Sequence, residues 1–142
     1  MKKKFTILIF ISVAFVSNSC EKGKIDSFPI QINTNKNTYS IDENIQVELI
    51  NNSDSTAYYF VCSSYKGIPP NIYKLVNNSW SGYWSPICFG SSYCCAILQA
   101  GESYKDTLDI DFEKGTYRIE YLFIVRPSHD YKSYFSNSIK IK

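Results

Sequence analysis

TLDIDFEKGTYRIEYLFIV, residues 107–125, holds two period-2 patterns on either side of a turn. Leu108, Ile110 and Phe112 alternate with Thr107, Asp109 and Asp111. After Lys114–Gly115, Tyr117, Ile119, Tyr121, Phe123 and Val125 oppose Arg118 and Glu120. Side chains one apart on an extended chain point to opposite faces, so each half predicts a strand with one face in a core. A helix would need an apolar stripe at spacings of three and four, and this stretch has none.

The same alternation recurs outward from it. Phe28, Ile30 and Ile32 make one run, Ile45, Val47 and Leu49 another, and Tyr58, Phe60 and Cys62 share one face of a third. Ile72 to Val76, Ser79 to Ser85, Ile97–Leu98 and Ile139 with Ile141 complete the set. Turn-forming clusters separate them: Asn33–Thr34–Asn35, Asn51–Asn52–Ser53, Gly67 to Pro70, Asn77–Asn78, Ala100–Gly101 and Pro127 to Asp130. Seven to nine short strands with turns between them predict an all-β antiparallel sandwich. The 12 Tyr and 9 Phe favour strands over helices in the same way. A length of 142 residues suits one domain.

Lys114–Gly115–Thr116–Tyr117–Arg118 puts a tyrosine at the start of the late, strongly alternating strand. Many immunoglobulin-like sandwiches have a tyrosine corner there, with the hydroxyl bonded back to the preceding connection. Asn37 to Ile45 (NTYSIDENI), Asn51–Asn52–Ser53, Trp80 after its polar turn, Leu98 to Glu102 and Gly115 to Arg118 occur in an order that resembles bacterial Ig-like domains. The resemblance spans Phe28 to Lys142 and implies an immunoglobulin-like fold. It implies no single function, because such folds host many.

The N-terminus predicts export. Lys2, Lys3 and Lys4 precede an apolar run from Phe5 to Val16, which ends in Ser17–Asn18–Ser19–Cys20. Positive, apolar, then small-polar is the order of a secretory leader, here Met1 to Ser19. The run is shorter than the ~20 residues a transmembrane helix needs. Ser19–Cys20 resembles a bacterial lipobox, although Ser17 stands where that pattern usually has an aliphatic residue. The resemblance implies cleavage before Cys20 and lipidation of it, giving a lipoprotein anchored at the cell membrane or outer membrane, periplasmic or surface-exposed. Two or more acyl chains anchor stably. Residues 20–27 then form a polar linker.

Charge narrows the partners. Three of the 15 basic residues lie in that leader, so the remainder is close to neutral against 13 acidic residues. No basic stripe exists, and a nucleic-acid partner has no electrostatic support. The expected partners are the membrane, through the lipid, and a protein or a glycan.

Beyond Cys20 there are four cysteines, Cys62, Cys88, Cys94 and Cys95. Export favours disulfides, and four cysteines allow three complete pairings. A vicinal Cys94–Cys95 bridge is strained. In related-looking domains a Cys after the third strand pairs with one in this later loop. That resemblance implies Cys62–Cys88, with one of Cys94 and Cys95 taking Cys62 as the alternative. A zinc site from Cys88, Cys94 and Cys95 with Cys62 or His129 is disfavoured, because adjacent strand residues diverge and paired ligands usually have two or more residues between them. No metal or other cofactor is expected.

Nor does a catalytic set emerge. Ser128–His129–Asp130 are consecutive, so their side chains diverge and cannot form a triad, and no Gly-x-Ser-x-Gly elbow is present. Asp109 and Asp111, with Asp106 and Glu113 nearby, read as the wet face of a strand. The functional signal is aromatic: Tyr65, Tyr73, Trp80, Tyr83, Trp84, Phe89 and Tyr93 crowd one stretch, either as core or as an exposed binding surface. Trp80 and Trp84, four apart, are expected on one face. The reading is a non-catalytic binding module. The alternatives are a protease inhibitor presenting Ser63 to Pro70 or Cys88 to Cys95 as a clamped loop, and last an enzyme.

Overall fold

The computed structural model describes residues 29–62, 65–88, 95–126 and 128–142, and these contain strands but no helix. The leader, Cys20, the linker, Phe28, Phe89, Tyr93 and Cys94 lie outside the described residues. The strands are β1 (Ile30–Thr34), β2 (Thr38–Tyr39), β3 (Ile45–Asn51), β4 (Ala57–Phe60), β5 (Asn71–Val76), β6 (Ser79–Trp84), β7 (Cys95–Leu98), β8 (Ser103–Leu108), β9 (Gly115–Val125), β10 (Lys132–Phe135) and β11 (Ile139–Ile141).

They form two sheets. One has the order β1-β3-β8, and the other is built around β9. Tyr117, Ile119, Tyr121 and Phe123 of β9 are each 0% exposed. They meet Ile30, Ile32, Ile45, Val47, Leu49 and Leu108 from the opposite sheet in one core. One edge of β9 pairs first with β11 and then with β10; the other pairs with β5 and then with β4. β6 continues the sheet beyond β5, and β7 beyond β4.

The tyrosine corner forms as the sequence predicts. The Tyr117 hydroxyl donates to the Glu113 carbonyl at 2.8 Å, and the ring packs edge-on against Phe112 and Tyr83. This is an immunoglobulin-like all-β sandwich. Cys62 and Cys88 are bonded, with their Cα atoms 5.2 Å apart, tying the end of β4 to the segment after β6 within one sheet. Closing a loop over a separation of 26 residues stabilises the fold by about 3–4 kcal/mol in the chain-entropy account.

Four features differ from the sequence expectation. The strand expected over residues 107–112 stops at Leu108. Leu108 pairs with Ile45, the first residue of β3, so no partner strand continues beyond it. Phe112 is still buried because the chain crosses between sheets there and keeps that ring under Tyr83 and Tyr117. β10 was hidden by its polar composition. β2 runs parallel to β11, not antiparallel, because the first segment changes sheets after Thr34; Lys140 N–H donates to Asn37 at 2.9 Å and Lys142 N–H to Tyr39 at 3.0 Å. The strands number 11, more than expected, since β2 is short and β10 and β11 are one edge interrupted by residues 136–138.

Burial holds several tyrosine hydroxyls protonated. It raises Tyr121 well above the ordinary value of 10.0, and it is the largest cause of upward shifts at Tyr65, Tyr117 and Tyr134. The unfolded chain therefore releases these protons at lower pH than the folded one, and alkali favours unfolding. Their contribution is complete below pH 10 and disappears as pH rises through the folded values. Urea midpoints measured from pH 8 to pH 11.5 are expected to stay level up to about pH 10 and then fall.

Candidate functional site

The aromatic crowd divides between the two faces of the larger sheet. Antiparallel partners share a face, so Trp84 opposite Ile72 points inward and Trp80 opposite Leu75 points outward. The pairing skips one residue: Ile72 faces Trp84 while Tyr73 faces Gly82, leaving Tyr83 as a bulge. That extra residue is why Trp80 and Trp84, four apart, do not share a face as the period-2 reading expects.

Tyr65, Tyr83 and Trp84 pack against the core. Tyr65 donates to the Asp106 carboxylate at 3.0 Å, and its ring meets Trp84 edge-on. Tyr83 donates to the Asp111 carbonyl at 2.9 Å. Gly67, at φ +128°, lies where a Cβ would come within 2.6 Å of the Tyr104 hydroxyl, so the strand-free segment after Tyr65 depends on glycine there.

Tyr73 and Trp80 lie on the outer face, and three residues join them. Arg118 of β9 places its guanidinium carbon 4.7 Å from the Trp80 ring centre, 5.3 Å from Tyr73 and 4.1 Å from Phe135 of β10. A cation over aromatic faces is attracted by their quadrupoles, at roughly 0.5–1 kcal/mol per exposed contact. Two positions along β9, Glu120 is only 5% exposed. Its Oε2 accepts from the Asn71 amide and from the Tyr73 hydroxyl, each at 2.9 Å. The Asn71 carbonyl in turn accepts from Ser85 at 2.7 Å. Burial raises the Tyr73 pKa, the bond to Glu120 adds to it, and the Arg118 charge opposes both.

Ser85, Asn71, Glu120 and Tyr73 thus form a polar chain joined by three hydrogen bonds. Arg118 stands apart from it. Its Nε is buried without a hydrogen-bond partner, and among the described residues no carboxylate lies within ion-pair distance of its guanidinium. Beside this row, a hollow of about 350 Å³ opens at the bulge between Asn71, Tyr73, Gly82, Trp84 and Ser85. A Cβ on Gly82 would meet nothing within 4 Å, so the space above it is open.

The chain matches no family model. No curated protein matches it. Among solved structures it is similar to Spo0M, a sporulation control protein from Bacillus subtilis, at 12% identity and a TM-score of 0.42. That superposition takes in 80% of this chain and 48% of the other, so the chain spans about half the length of Spo0M. It is also similar to an ASH/PapD-like domain of human CEP192, at 13% identity and a TM-score of 0.36, over 99% of this chain and 96% of that one. The reading of the face therefore rests on its own residues.

The other candidates from the sequence are dispersed. Asp109, Asp111 and His129 are exposed, and Ser128 accepts from the Asp130 N–H at 3.2 Å in a local turn. Among the described residues no three of His, Cys, Asp and Glu come together as a metal site would require. Within Ser63 to Pro70, Ile68 and Pro70 are buried, which is the opposite of a presented inhibitory loop. Cys95 opens β7; the loop before it, with Phe89, Tyr93 and Cys94, lies outside the described residues.

Sequence reasoning missed Arg118, Glu120, Phe135 and Asn71. Arg118 and Glu120 were legible as the side of β9 opposite the core, but their burial was not, since it comes from β5 and β10 on either edge. Glu120→Ala is expected to destabilise the fold by about 2–3 kcal/mol in urea titration, because it strands the Tyr73 hydroxyl and the Asn71 amide. Asp109→Ala, at an exposed position, is expected to stay within about 0.5 kcal/mol of the parent.

Proposed function

We propose that this chain is a lipid-anchored cell-envelope protein whose immunoglobulin-like domain is a non-catalytic binding module, with the outer face of β6, β5, β9 and β10 as its binding surface. The observation that carries the binding reading is Arg118: a guanidinium fixed over three rings, with no hydrogen-bond partner among the described residues. Its terminal amines are charged, have no protein acceptor, and are open to one supplied by a ligand. Aromatic and arginine side chains gathered on one exposed face are the composition of interface anchors.

Support for the envelope address comes from the leader pattern: Lys2 to Lys4, the apolar run from Phe5 to Val16, and Ser19–Cys20. Support for a non-catalytic role comes from the polar chain itself. Glu120 is occupied by two donors of its own sheet, which leaves it a structural acceptor.

Two measurements test this. Mass spectrometry of the protein isolated from cells is expected to give an N-terminus at Cys20 carrying fatty acyl chains. A product starting at Met1 without fatty acid removes the anchor. A photo-crosslinking residue placed at position 82 in living cells is expected to trap a ligand, whereas the same residue at exposed position 105, on the other sheet, is not. Equal labelling at both positions, or none at 82, removes the binding face.

A further inference from the structure

We propose that the outer face binds an acidic saccharide, a sugar ring bearing a carboxylate that pairs with the terminal amines of Arg118. The proposal deepens the binding-module reading above and rests on it.

The charge argument comes first. The Arg118 side chain makes no hydrogen bond within the described protein, and of its three nitrogens only Nε is both buried and unsatisfied. The terminal amines therefore keep access to solvent. Three ring centres lie 4.1–5.3 Å from the guanidinium carbon, and none of the guanidinium N–H groups has a hydrogen-bond partner among the described residues. In-plane N–H groups pair with a planar carboxylate in a two-pronged geometry that a lysine cannot reproduce. Glu120 does not compete for those groups: its Oε2 accepts from Asn71 and Tyr73, and among the described residues it forms no ion pair with Arg118.

The shape argument selects a sugar over an acidic peptide. A peptide recognised by strand addition needs an open backbone edge. Arg118 and Glu120 sit on β9, whose two edges at these positions are taken by β5 and by β10 with β11. Among the described residues the nearest unpaired edges are those of β10 and of β6, the latter two strands from β9, so a peptide added there would not lie over Arg118, and one lying over Arg118 would cross side chains without backbone bonds. What the face offers instead is a row of rings, Trp80, Tyr73 and Phe135, and next to it the hollow over Gly82. Rings suit the C–H faces of a sugar. The second N–H of the Asn71 amide and the Ser85 oxygen, which can still accept, border the hollow and suit the sugar's hydroxyl groups. Tyr73 lines both parts, so a ligand two or three sugars long would reach from Arg118 into the hollow.

The test uses the full chain purified as the cell makes it, in detergent, and titrates it with trigalacturonate while following tryptophan fluorescence and heat. Parallel titrations use the methyl-esterified trisaccharide and a hexaglutamate peptide. The acid form is expected to bind and to perturb tryptophan emission. The ester is expected to bind at least about tenfold more weakly, and the peptide not to bind. Arg118→Gln is expected to lose at least about tenfold in affinity for the acid form and clearly less for the ester, and Arg118→Lys to recover only part of the loss. Should Arg118→Gln fail to fold, Gly82→Leu provides the second test; it fills an open space and is expected to weaken the acid and the ester alike. Equal binding of acid and ester, or full binding by Arg118→Gln, overturns the proposal. If hexaglutamate binds in place of the saccharides, or if neither binds while the crosslinker at position 82 still traps a ligand, the face stands and the saccharide falls. If nothing binds and the crosslinker is silent, both fall.

Discussion

One strand cannot hide both of its faces unless both carry apolar side chains. β9 commits its first face completely: Tyr117, Ile119, Tyr121 and Phe123 leave no exposed surface. The period of two then fixes Arg118 and Glu120 on the other side, and flanking strands on both edges hold them there. The core and the candidate site are therefore one decision, taken by the register of a single strand. A slip of one residue would drive a guanidinium and a carboxylate into the core, at a cost of many kcal/mol.

The rest of the molecule stabilises that register. The Tyr117 corner locks the start of β9 to the crossing segment. Ser136 accepts from the Ile119 N–H and its own N–H donates to the Ile119 carbonyl, which pins the interrupted edge between β10 and β11. At the far end, buried Asn51 donates to the Ser55 and Leu98 carbonyls and so joins the end of β3 to the strands beyond β4. The outer polar chain from Ser85 to Tyr73 repeats the device on the solvent side. Among the described residues, each buried side-chain polar group finds a partner nearby, with Arg118 Nε and the Tyr121 hydroxyl as the exceptions.

Much of this was legible in the residues. The alternation in 115–125 placed Tyr117, Ile119, Tyr121 and Phe123 in the core correctly, while Val125 is only partly buried and Glu120 on the opposing side is buried as well; the Lys114–Gly115 turn located the corner. Local pattern could not show where partners run out, so the strand expected beyond Leu108 does not form although its apolar side chains still reach the core. Nor could it show the bulge at Tyr83, because a single inserted residue leaves composition unchanged while reversing the side on which Trp84 lies. The site was half visible. Tyr73 and Trp80 stood out as aromatic, while Phe135 lay in a strand whose Lys and Ser residues disguised it. The isolation of Arg118 depends on what surrounds it, from strands 40 residues earlier and nearly 20 later, and no spacing encodes that.

The central claim is that β9 is the most deeply held strand and carries the site on its solvent side. Native-state hydrogen exchange on the full chain tests this most directly, read at the amides of Ile119, Tyr121 and Phe123. These amides are expected to exchange only through global unfolding, with a free energy equal to that from urea titration. Exchange at those three positions through local opening, while the amides of β1 and β3 outlast them, would contradict the account.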